Sequence, residues 1–136
     1  MRPRRLPTVE TQTVAFVEAA RASGRPRVSE WLAWRRNRVY LRYVRHYETF
    51  TGEALGEVLV IANVEVPVPF RRRGWFWRYC QLCLALVDNG LVIESVLNPH
   101  LYAALARHPA FWASAKQDFV ILKRHPGDWP LRIPST

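Results

Sequence analysis

The segment Glu57–Val66 is apolar at both odd and even positions, a pattern that suits a strand covered on both faces. It is read as the central strand of a sheet. Directly after it, Pro67 and Pro69 remove backbone donors and end regular ladder pairing where Arg71-Arg72-Arg73-Gly74 begins. The stretch from Trp75 to Asp88 then places Phe76, Tyr79, Cys80, Cys83 and Val87 at helical spacing, with Asn89-Gly90 as its expected C-cap. This helix is expected to pack on the sheet.

The rest of the chain is organised around that unit. Residues 1–7 form a basic, Pro-interrupted leader, and residues 8–34 are expected to be helical. Thr8 caps one helix that stops at Gly24, and Ser29 caps a second carrying Trp31, Leu32 and Trp34. The Arg35–Arg38 run reads as a solvated turn. Residues 39–124 make the core: a strand from Val39 to about Tyr47, a turn marked by Thr51–Glu53 and Gly56, the central strand, the helix, and a strand over Leu91–Leu97. Asn98-Pro99 then opens a helix bearing Leu101, Tyr102 and Leu105, and Phe119–Lys123 is the last strand. Residues 125–136 are a Pro-rich tail. The order predicts a single α/β domain with a mixed sheet.

Composition removes several classes. With 49% of 136 residues in the hydrophobic class and six Trp, five Tyr and six Phe, disorder is excluded as the main state. No apolar run approaches the ~18–20 residues of a membrane span, and no apolar segment of signal-peptide type follows the basic start, so a cytoplasmic location is expected with no membrane partner. Cys80 and Cys83 form a lone CxxC inside an apolar run without a second ligand pair, so they read as buried small hydrophobes and no metal site is expected. The formal charge of +9 is carried almost entirely by Arg, which points to an anionic partner: a phosphorylated cofactor, nucleic acid or an acidic protein.

Gly74 at a helix start would let a phosphate approach free backbone N–H groups, and three preceding arginines can neutralise its oxygens. The single glycine fits neither a Walker loop nor a dinucleotide turn. A strand leading to Phe70, Arg71 and Gly74, then a strand ending in Asn98, a helix and Phe111, resembles the GNAT acyltransferase superfamily over about Val39 to Lys123, in the form of its small, phage-encoded members. The resemblance implies a mostly antiparallel mixed sheet flanked by helices and splayed at an acyl-CoA site. It also implies acetyl-CoA as co-substrate and transfer to an amine. Arg71, Arg72, Arg73, Gly74, Trp75 and Phe76 would then hold the pyrophosphate, Val66 and Val68 would pair with the pantetheine arm, and Asn98 would touch it.

Acetyl transfer needs a deprotonated amine and a stabilised oxyanion. Glu65 is the first candidate base and Glu94 the second. Leu105 stands where the family often has an acidic Tyr, which leaves Tyr102, one turn earlier, as the substitute. The amine acceptor, small molecule or protein, would be bound by residues 8–34 and Pro109–Gln117. Phe76 stands where a small residue is usual, and together with Leu105 it favours a rival reading, a catalytically inactive GNAT-shaped binding or inhibitor protein. A second rival is a basic nucleic-acid-binding module built on Arg35–Tyr43 and Arg71–Tyr79. Asn98 also suits a plain helix cap, His100 and His108 read as surface or cap residues, and Trp75 and Trp77 read as packing. An edge strand near the C-terminus would allow a homodimer.

Overall fold

The computed structural model describes residues 8–34, 37–49, 52, 54–65, 74–96, 98–108, 111–115 and 117–123. The elements run α1 (Val9–Ser23), β1 (Arg27–Trp34), β2 (Asn37–Glu48), β3 (Ala54–Glu65), α2 (Trp75–Leu86), β4 (Gly90–Ile93), α3 (Pro99–Arg107), β5 (Trp112–Ala115) and β6 (Asp118–Leu122). They build an α/β fold around one six-stranded mixed sheet of order β1-β2-β3-β4-β6-β5. All neighbouring strands are antiparallel except β3 and β4.

α1 starts where expected. The Thr8 side chain accepts from Thr11 N–H, and Gly24 closes the helix at φ 68°, a left-handed conformation that costs glycine little. The second N-terminal helix is not formed. Arg27–Trp34 is a strand, paired with β2 from Arg27↔Val44 to Trp34↔Asn37. The apparent helical spacing of Trp31, Leu32 and Trp34 gives way to period two: Val28 and Leu32 face the core, while Ser29, Trp31 and Ala33 face outward. Long-range pairing of all of β1 with residues 37–44 of β2 overrides a weak local preference.

The sheet has two buried faces. On one, Leu41, Tyr43, Leu59, Ile61, Leu91, Ile93, Phe119 and Ile121 meet the buried side chains of all three helices. On the other, Val44, Leu55, Val58, Val60, Val92, Val120 and Leu122 form a second cluster with Tyr47 packed against it. Val58, Leu59 and Val60 are wholly buried, as the apolar run at both parities requires. Truncating a side chain such as Ile61 to Ala would cost about 2–5 kcal/mol. α2 turns Trp77, Tyr79, Cys80, Cys83 and Leu84 inward. Burial pushes both thiols up, Cys83 to about 12, so they behave as small hydrophobes.

Three boundaries differ from expectation. Gly56 lies inside β3 at φ 80°, where an added Cβ would sit 2.6 Å from Asn89 Oδ1. That oxygen accepts from Glu57 N–H at 2.7 Å, and Asn89 N–H donates to the Glu57 carbonyl at 3.0 Å. Gly56 and Asn89 therefore clasp the start of β3 to the loop before β4, and neither acts as the expected turn or cap. α2 ends instead at Leu86, with Val87 extended. The strand expected over Leu91–Leu97 stops at Ile93, and β5, absent from the sequence reading, pairs with β6 through Trp112↔Val120 and Ala113↔Phe119.

Candidate functional site at the split between β3 and β4

The parallel pair holds only from Val58↔Gly90 to Ile61↔Ile93, with Glu94 N–H donating to the Ile61 carbonyl at 3.0 Å as its last rung. Beyond this rung β3 continues to Glu65 and, among the described residues, pairs with β2 alone, through Val64↔Val39 and Glu65↔Arg38. A bulge marks the departure: Tyr40 faces Asn63 and Leu41 faces Ile61, which leaves Ala62 as the extra residue. Such a bulge bends its strand and increases the local twist.

The chain after β4 is drawn the other way. Ser95 takes a positive φ of 53° and its N–H donates to Asp118 Oδ1 at 2.8 Å, while Val96 N–H donates to the Gln117 carbonyl at 2.8 Å. Both bonds tie the β4 exit to the start of β6 and the residue before it, away from β3. The result is a split at the carboxyl ends of two parallel strands, with α2 as the crossover between them. In open α/β sheets ligands bind outside the carboxyl ends of the strands.

α2 begins close to this exit in sequence, at Gly74, with φ 71° and no side-chain cap. The amides of Trp75, Phe76 and Trp77 have no acceptor within the helix, as in any first turn. The two aromatic side chains expected in the phosphate cradle have structural partners. Trp75 donates its indole N–H to Glu10 Oε1 and stacks on Tyr79 at 4.9 Å, which fastens α2 to α1. Phe76 packs against the core with its ring 5.7 Å from Trp77, edge to face. Trp77 is buried, so both tryptophans pack as expected. Val66, Val68, Arg71, Arg72 and Arg73 lie outside the described residues, and so does the side chain of Glu65.

Glu94, at the last rung, faces the second side of the sheet. Its Oε1 lies 3.1 Å from Arg42 Nη1, and both side chains are about a quarter exposed. Tyr47 shares this neighbourhood: burial, then the negative charges of Glu94 and Asp118, push its hydroxyl up, against the lowering effect of Arg42. Tyr102 lies on the helical side, exposed, with its ring 5.2 Å from Phe119 in an edge-on contact. Phe119 pairs with Ile93, so Tyr102 also flanks the end of β4. The fold places Glu94 and Tyr102 near one strand end but on opposite faces of the sheet. Leu105 is fully buried and serves the core.

Asn98 is the N-cap of α3, its Oδ1 accepting from His100 N–H at 2.9 Å and Leu101 N–H at 3.2 Å, with Pro99 at the first helical position. His108 does not lie at the surface. It caps α3 but is buried between Trp77 and Phe111, at 5.0 and 5.1 Å between ring centres, and burial lowers its pKa. Of the segments expected to bind an acceptor, Arg27–Trp34 is an edge strand of the sheet, and Trp112–Ala115 pairs with β6 at the other edge. No group of side chains able to hold a metal occurs among the described residues, and no helix among them is long and apolar enough to cross a membrane. Comparison with family models, curated proteins and solved structures finds no match to this chain.

Proposed function

We propose that the chain binds an acyl-CoA in the split between β3 and β4 and transfers its acetyl group to a primary amine by direct attack within a ternary complex. The observation that carries this reading is the early end of the one parallel pair among the described strands. Its strands separate after Ile61 and Ile93, with a bulge at Ala62 on one side and the Ser95–Asp118 tether on the other. One-sided pairing over Ala62–Glu65 leaves main-chain groups to face an extended ligand such as a pantetheine arm. The first turn of α2, opened by Gly74, offers amides and a positive dipole end to the pyrophosphate, with Arg71–Arg73 adjacent in sequence.

In the proposed reaction the amine nitrogen attacks the thioester carbonyl. A tetrahedral oxyanion forms, then collapses with loss of the CoA thiolate, while the amine gives up one proton. Glu65, at the end of β3 beyond the last parallel rung, is the first candidate to receive that proton, directly or through water. Glu94, whose Oε1 accepts from Arg42, is the second candidate. Tyr102 is the candidate donor to the thiolate. Cys80 and Cys83 are buried with raised pKa values, which disfavours a covalent acyl-enzyme.

The test is turnover: acetyl-CoA with a panel of primary amines, followed by thiol release and by mass of the acetylated product. Glu65→Gln should lower kcat at neutral pH about 100-fold or more with little change in acetyl-CoA affinity, in keeping with a general base. Saturable acetyl-CoA binding without turnover on any amine would favour the inactive binding protein instead.

A further inference from the structure

We propose that the outer face of the β1–β2 hairpin, centred on Trp31 and Tyr40, is a binding site for single-stranded nucleic acid that borders the split between β3 and β4. Trp31 is 42% exposed, one of two large apolar side chains so exposed among the described residues. It stands directly across from Tyr40 in the ladder, and the rings lie 5.0 Å apart, tilted by 35°. The guanidinium of Arg38 lies over the Trp31 ring at 4.5 Å, and Arg38 is itself exposed. A guanidinium held flat on an aromatic ring offers a planar face on which a base can stack and N–H groups that a phosphate can take.

The pattern extends along the strands. On this face β2 presents Arg38, Tyr40 and Arg42 in succession, at the ~6.8 Å step of alternate strand residues, and β1 adds Arg27 across from Val44. Cation, ring, cation is the order in which a single strand presents phosphate, base, phosphate. Among the described side chains of this face on β1 and β2 there is no carboxylate. Glu94, just after β4, meets Arg42 on this side of the sheet, and Glu65 stands across from Arg38 in the β2–β3 ladder. The whole chain carries a formal charge of +9, so the surface suits a polyanion with exposed flat groups. A duplex hides its bases, and a peptide carries its charge on carboxylates without a flat group at each step, so single-stranded RNA or DNA is the occupant that uses both features along its length.

The experiment is fluorescence anisotropy of an end-labelled oligopyrimidine of about 12 nucleotides, titrated with the full chain at ~50 to 200 mM salt. Saturable binding is expected, with affinity falling as salt rises. Trp31→Ala should weaken it roughly tenfold while leaving the salt slope unchanged, and Trp31→Phe should restore most of it. Arg38→Gln should reduce the slope by about 0.7, the value of one phosphate on a single strand. Circular dichroism checks that each variant stays folded; Arg38 and Trp31 are surface residues, so either variant alone keeps the test decisive. The proposal is overturned by equal affinity of the wild type and Trp31→Ala, by a duplex that binds as tightly, or by an oligoglutamate that competes equally, which would assign the face to an acidic protein. Acetyl-CoA binding should be the same in Trp31→Ala and wild type.

Discussion

Arg21, in the last turn of α1, holds the carboxylate of Glu57 at the start of β3, its Nε donating to Oε2 at 2.8 Å and its Nη2 to Oε1. The Tyr43 hydroxyl donates to the same carboxylate, and Asp88 N–H donates to Oε1 at 2.8 Å. One carboxylate thus joins α1, β2, β3 and the loop after α2 at the end of the sheet opposite the split. The Arg21 hydrogen bonds, reinforced by those from Tyr43 and Asp88, lower the Glu57 pKa to about 2.

A pKa lower in the folded than in the unfolded state adds stability above the unfolded value, near 4.5, that is lost as pH falls toward about 2. Glu57→Gln should therefore destabilise the protein at pH 7 by about 1–3 kcal/mol, allowing for the exposure of Arg21. It should also flatten the acid limb of urea midpoints measured between pH 5 and 2.5. A wild-type acid limb that survives in Glu57→Gln would refute this role.

His108 acts in the other pH range. Burial lowers its pKa below 6.5, so the unfolded chain binds a proton that the folded protein resists, and stability is lost as pH falls through 6.5. His108→Leu should shrink the difference in urea midpoint between pH 7.5 and 5.5. An unchanged difference would place the titration elsewhere.

The Thr13 hydroxyl donates to the Val9 carbonyl at 2.7 Å. Its single proton is thereby used, so the Tyr79 hydroxyl, also 2.7 Å away, is the donor of the buried contact between α1 and α2. Thr13→Val should cost about 1–3 kcal/mol, and adding Tyr79→Phe should recover part of it, because removing both partners is cheaper than removing one. Denaturation of the single and double variants measures this, and strict additivity would contradict it.

Asn98→Ala should lower stability by about 1 kcal/mol through loss of both cap bonds, and Asn98→Ser should retain most of it. Thermal melting distinguishes the two. An alanine variant as stable as wild type would show that the cap is dispensable.

Where local chemistry sets an element, the sequence was legible. The apolar run Glu57–Val66 reads as a central strand and Asn98-Pro99 as a helix start, and β3 and α3 lie there. Arg27–Trp34 misleads because its strand depends on β2, and the register with residues 37–44 leaves no local mark. Gly56 and Asn89 resemble turn and cap residues, but each is explained by the other, across a gap of 33 residues (89 − 56) that no spacing rule spans. At the site, Gly74 and Asn98 were legible as helix starts. The pairing of Glu94 with Arg42 and the stack of Arg38, Trp31 and Tyr40 were not, since both join different strands.

The central claim is tested most directly by calorimetric titration of acetyl-CoA into the wild type and into Gly74→Asp and Arg73→Glu variants shown by circular dichroism to be folded. The account predicts saturable binding at one site per chain in the wild type and its loss in both variants, since each places negative charge or bulk where the pyrophosphate would lie. Absence of binding by the folded wild type, or binding unchanged in both variants, would contradict it.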